Sequence, residues 1–183
     1  MDNWIFKYHE AIQKKEVIVG VWVRLCFEIL TTGLLNGEWE FNEKKANKAI
    51  KFIENFCHHS EGRSDLLHLE LWQKAIVSAI FGIMDKTTGY RQFREVFIIV
   101  ARKNGKTLFA AAIAAYMTYV DGEYGAKVYF LAPKLDQADL VYDAFYQIVQ
   151  SDDELDSITK KRRSDIYICL LYTSDAADDL IGV

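Results

Sequence analysis

The chain has 183 residues, 51% apolar and 26% charged, a balance suited to one ordinary globular domain, or to one small domain and part of another. Its net charge of −4 excludes a global basic field for nucleic acid, although a local basic loop would vanish in that sum. The three cysteines, Cys26, Cys57 and Cys169, lie too far apart for a CxxC pair and read as reduced thiols. There is no charged-then-apolar leader and no apolar run of about 20 residues, so neither export nor membrane spanning is expected.

Residues 1–60 read as a polar helical segment. Apolar residues recur at three- and four-residue intervals, as at Val21, Leu25 and Ile29, and again at Ala46, Ala49, Ile50, Ile53 and Phe56. Asn42 is placed to cap the second of these helices, and "NGEWEFN" forms the turn before it. Cys57, His58 and His59 adjoin one another, with His68 following. Neighbours on a helix point about 100° apart, so these residues suit a helix C-terminus better than a metal site. Another helix is predicted from near Asp65 to Met84, with Gly89 in the turn that follows.

The pattern then changes. "EVFIIVA" (95–101) and "AKVYFLA" (126–132) are short β-branched and aromatic runs, predicted to be strands buried on both faces. Between them lies the helix-forming "KTLFAAAIAAYMTYV". Helical spacing resumes after Pro133 at Leu135, Ala138, Val141, Tyr142, Phe145, Ile148 and Val149, where Asp136 is a candidate N-cap. This order is that of a right-handed βαβ unit in a parallel sheet, an α/β fold. "SDDELD" reads as a solvated turn and "SDIYI" as the start of a strand. The basic run Lys160 to Arg163 reads either as a solvated face or as a contact to DNA phosphates.

The junction between the first strand and its helix carries the chemistry. In "VARKNGKT", Gly105, Lys106 and Thr107 occupy the last three positions of the G-x-x-x-x-G-K-[ST] pattern, while Val100 stands at its first glycine. Successive backbone N–H groups and the N-terminal end of a helix attract phosphate. Lys106 would neutralise the β- and γ-phosphates of ATP, and the Thr107 hydroxyl would bind Mg²⁺. Asn104-Gly105 suits the positive φ values of a tight wrap. Arg102 and Lys103 add cations that suit a γ-phosphate or a neighbouring acidic group, or else are solvated loop charges.

Together, "TGYRQFREVFIIVARKNGKT" and "DGEYGAKVYFLAPKLDQADLVYDAF" resemble the ATPase domain of the large terminase subunit, the DNA-packaging motor of tailed bacteriophages. "LELWQKAI" and, more loosely, the helical N-terminus extend the resemblance over most of residues 1–168. It implies a partial P-loop, RecA-like (ASCE) ATPase domain over 61–168 that binds ATP and Mg²⁺, and a deviant loop in which Val100 is ordinary. It also implies catalytic roles for Lys106 and for Arg102 at the γ-phosphate, with Lys103, Asn104, Gly105 and Thr107 completing the loop and Gln73 reading the adenine edge. A side-chain amide offers the donor and acceptor that adenine needs. Trp72 beside it reads as a core aromatic. Lys134, Asp136 and Gln137 would lie at the loop edge of the sheet.

For the intact protein the same resemblance implies a homo-oligomeric ring in the host cytoplasm acting on double-stranded viral DNA, with the portal protein and the small terminase subunit as partners. An apolar strand ending in Asp and followed by Glu, and the acidic cluster of a C-terminal nuclease, are not found before Ile168. A fragment without hydrolytic activity is therefore expected. "CLLYTSDAAD" resembles a translated sequencing-library adaptor, so residues 169–183 are expected to be non-native. Two rivals remain open from the residues alone: another P-loop ATPase such as a helicase, and a non-enzymatic helical interaction or DNA-adaptor protein in which GKT is accidental.

Overall fold

The computed structural model describes residues 3–59, 65–123, 126–162 and 165–168, and the 169–183 tail lies outside them. The chain forms two compact units: Met1–Ile50 with Leu69–Ile98, and Lys51–His68 with Ile99–Val183.

The first unit is built on three helices, α1 (Trp4–Gln13), α2 (Val21–Leu35) and α4 (Leu71–Gly82), and takes in the start of α3 (Glu43–Phe56). Asn3 starts α1 by accepting the Ile5 N–H at 3.0 Å. Ile5, Tyr8 and Ile12 on α1 meet Phe27 and Leu30 on α2 and Ala75 on α4, and the Tyr8 and Phe27 rings pack edge to face with centroids 4.7 Å apart. Trp72 packs against this core, as expected of it.

The helical reading of residues 4–35 is interrupted at 14–20. Lys15 takes a left-handed φ of 59°, and Glu16 and Val17 both donate their N–H groups to the Ala11 carbonyl. Asn42 caps α3 as expected, accepting the Lys45 N–H at 3.0 Å, and Ala46, Ala49, Ile50 and Ile53 form its buried stripe. Helix α4 begins six residues later than predicted. Leu67 and Leu69 are buried while His68 and Glu70 are exposed, an extended alternation that ends where Glu70 and Gln73 form a capping box. Two short strands, β1 (Glu40–Phe41) and β2 (Ile83–Met84), pair antiparallel. The following turn has Gly89 at φ 69°, as expected, with Asp85 accepting from Thr87 and Thr88.

The second unit holds α5 (Lys106–Tyr119), α6 (Leu135–Gln150), the short α7 (Asp153–Ser157) and a hairpin of β3 (Thr159–Lys161) with β4 (Ile166–Ile168). Phe109, four alanines (Ala111, Ala112, Ala114 and Ala115), Tyr116 and Tyr119 form the buried face of α5. Tyr119 stacks on Phe145 of α6 with centroids 6.3 Å apart, and Phe52 lies 5.9 Å from Tyr116. Asp152 caps α7 by accepting from Glu154 and Leu155, so "SDDELD" is a capped helix and not a turn. Asp136 is not a cap either. It lies in the first turn of α6, whose N-cap position is Lys134.

The two predicted buried strands, and the parallel sheet they imply, are not shown among the described residues. Residues 95–101 and 126–132 pair with no strand among the described residues, and Phe97 and Ile99 are 89% and 97% exposed. Among the described residues the strands form two small antiparallel sheets, with isolated bridges at His58–Leu66 and Met84–Arg91. An apolar run demands burial, but a parallel strand exists only where flanking strands supply its hydrogen bonds. The architecture is mixed α/β, with the helices dominant.

Two outcomes test this packing. A Cβ at Gly82 would stand 2.6 Å from Phe41 Cε2 and 2.9 Å from Ala46 Cβ, so Gly82→Ala should lower unfolding free energy by about 1–3 kcal/mol in urea titrations. Burial holds the Tyr119 phenol up at about 12, against an ordinary 10.0, despite its 2.7 Å hydrogen bond with Thr159. The folded state therefore keeps a proton that the unfolded chain releases. The linked stability, roughly 3 kcal/mol at most, is complete below pH 10 and is lost as pH rises towards 12. Tyr119→Phe should flatten that alkaline decline in denaturant titrations repeated across the same pH range.

Candidate nucleotide-binding loop

The segment from Ala101 to Lys106 is exposed and leads directly into α5. Two of its residues are left-handed, Lys103 at φ 66° and Gly105 at φ 65°. The expectation of positive φ at Asn104-Gly105 therefore holds at Gly105 and moves one residue earlier for the other. Asn104 instead uses its amide, whose Nδ2 donates to the carbonyls of Ala101 and Arg102, each at 3.3 Å. Val100 is not among the positive-φ residues, so its position makes no demand for glycine.

Gly105 is the N-cap of α5 and offers no side chain to its first turn. The first helical hydrogen bond runs from the Phe109 N–H to the Gly105 carbonyl at 2.9 Å. The earlier N–H groups of the helix, with the partial positive charge of its N-terminus, thus meet solvent at the loop. Arg102, Lys103 and Lys106 are exposed around them, and no carboxylate occurs between residues 101 and 107. The Thr107 hydroxyl has no hydrogen-bond partner among the described residues. Such a donor set suits an anionic, phosphate-bearing ligand with its divalent cation.

Gln73 belongs to the first unit and has a local task there. It is buried, and its side-chain carbonyl accepts the Glu70 N–H at 2.8 Å, closing the capping box of α4. That box was legible as a Glu and a Gln three residues apart, ahead of an apolar run. Cys57 is buried just beyond α3, and burial, with Asp152 nearby, pushes its thiol up. His58 bridges to Leu66, and His59 donates its N–H to the Asp65 carbonyl. Among the described residues no group of three or more His, Cys, Asp or Glu side chains could hold a metal ion.

Of the basic run, Lys160 and Lys161 lie on β3 and Arg163 lies outside the described residues. Lys161 Nζ sits 3.7 Å from the centre of the Tyr146 ring, and the Arg162 guanidinium sits 4.7 Å from that of Tyr167. No helix among the described residues is long and apolar enough to cross a membrane.

No curated protein matches the chain significantly. Among solved structures the fold is similar to that in "Crystal structure of the HK97 bacteriophage large terminase", with a TM-score of 0.52 and 24% sequence identity. That likeness covers 69% of this chain and 27% of the other, so the chain spans about a quarter of the length of the structure it matches. The family described as "Terminase large subunit, ATPase domain" matches residues 71–178, a stretch that contains the whole loop and the helices α5, α6 and α7 that follow it. On that match, the chain belongs to the terminase large subunit ATPase-domain family.

Proposed function

We propose that the loop from Arg102 to Thr107 binds the phosphates of ATP, and that the intact protein uses this site to power the packaging of viral DNA. The observation that carries the reading is local. Left-handed Lys103 and Gly105 bend the backbone immediately before the uncapped start of α5, where Lys106 and Thr107 are the first two helical residues. In this reading Lys106 neutralises the β- and γ-phosphates and Thr107 supplies an oxygen to Mg²⁺. Arg102 acts at the γ-phosphate, and Lys103 adds a further cation to the loop. Asn104 holds the loop through its two carbonyl contacts. Gln73 is assigned the adenine edge on the resemblance alone.

The parallel, RecA-like sheet belongs to the same proposal. Residues 95–101 and 126–132 are its candidate strands, and their exposed apolar side chains are consistent with a need for further strands and covering layers. Double-stranded DNA, a portal and a small subunit as partners, and a ring of copies in the host cytoplasm, follow from the family for the intact protein.

Binding of a fluorescent ATP analogue with Mg²⁺ tests the site. A charge-assisted hydrogen bond contributes about 1.5–3 kcal/mol, so Lys106→Ala should weaken binding by roughly tenfold or more. Thr107→Ala should chiefly reduce its Mg²⁺ dependence. Equal affinity for the wild type and Lys106→Ala would sink the assignment, as would no binding by the wild type at millimolar nucleotide.

A further inference from the structure

Helix α2 is apolar on two opposite faces. Phe27, Leu30 and Leu34 point into the core of the first unit. At 3.6 residues per turn, Trp22, Leu25 and Ile29 fall on the opposite side, and Val21 extends that stripe. Trp22 is 81% exposed, Val21 73% and Ile29 53%. Single exposed apolar residues need no explanation, but a contiguous stripe of this kind marks an interaction surface. The 22, 25, 29 spacing is that of a two-helix seam.

The flanks identify the occupant. One flank carries Arg24 and Glu28, a turn apart, and the other carries Cys26 and no charge. We propose that α2 docks a second copy of this chain, the two helices running antiparallel about a two-fold axis near Cys26. In that arrangement like flanks meet. Arg24 of each copy then lies level with Glu28 of the other, giving two equivalent ion pairs, while Trp22 reaches the level of Ile29 and Leu25 packs near the axis against its counterpart. A parallel pair would set the charged flank against the uncharged one and leave both charges without partners. The contact is isologous, so it closes into a pair and is distinct from any ring. One pair of 15-residue helices buries less than the ~800 Å² per partner of a standard stable complex, so the association is weak and concentration-dependent.

Sedimentation equilibrium of the full 183-residue chain, from micromolar to millimolar concentration, should show a monomer–dimer equilibrium. Leu25→Glu, at a solvent-facing position, should raise the dissociation constant at least tenfold with an unchanged circular dichroism spectrum. Arg24→Glu or Glu28→Arg alone should weaken pairing about threefold or more, and the two together should restore it. On a Cys169→Ser background, a short bis-maleimide should link Cys26 to Cys26, because Cys57 is buried. A chain that stays monomeric at millimolar concentration overturns the proposal, as does a dimer indifferent to Leu25→Glu. Failure of the double charge exchange to restore pairing, or of Cys26 to cross-link, overturns the antiparallel arrangement.

Discussion

Everything proposed for the loop depends on the close packing of α5 in the second unit. Four alanines on its buried face allow the helix to approach its neighbours closely, since each adds only a methyl group to the contact. Phe109, Tyr116 and Tyr119 extend the buried area beyond the alanines, and Tyr119 ties the far end of α5 to β3 through Thr159. The C-terminal end is therefore held by rings and a hydrogen bond. The N-terminal end is left with backbone and cations, which is the division of labour a phosphate site needs.

Where the determinants are local, the sequence carried the fold well. The stripe Ala46, Ala49, Ile50, Ile53, the cap at Asn42 and the turn at Gly89 each follow from residues within a few positions of one another. The break between α1 and α2 was only weakly legible: Gly20, the N-cap position of α2, closes it, but no Gly or Pro marks its start at residues 14–19. A lysine there adopts a left-handed conformation, and Val17 and Val19 pack against the core of the unit. That choice is made by tertiary contact, which overrides propensity. The late start of α4 was legible in principle: Leu67 and Leu69 alternate with exposed polar residues, but the leucines crowd closely enough to imitate a helical stripe.

Strand composition and strand pairing came apart in this chain. The β-branched runs at 95–101 and 126–132 have the composition of buried strands yet no ladder among the described residues. The polar "TKK" of β3 does have one, with Ile166–Ile168 only a few residues on. An antiparallel neighbour close in sequence is reached by a short turn, whereas a parallel one requires a crossover and helices to cover it. Propensity describes what fits a pleated, half-buried surface, and it cannot supply the neighbouring strand.

The loop itself resolves the oddity of its sequence. Glycine is required where φ is positive, and Val100 does not occupy such a position. The positive values fall at Gly105, where glycine is present, and at Lys103, where it is not. A non-glycine residue in that region costs on the order of 1–2 kcal/mol, and the two hydrogen bonds from the Asn104 amide to Ala101 and Arg102 help to hold the turn against it. Glycine at 103 would relieve the strain but remove a cation from the start of α5. On the proposed phosphate-binding reading, strain retained at a charged residue, beside a helix end with no side-chain cap, is the form that a demand for side-chain charge takes in the backbone.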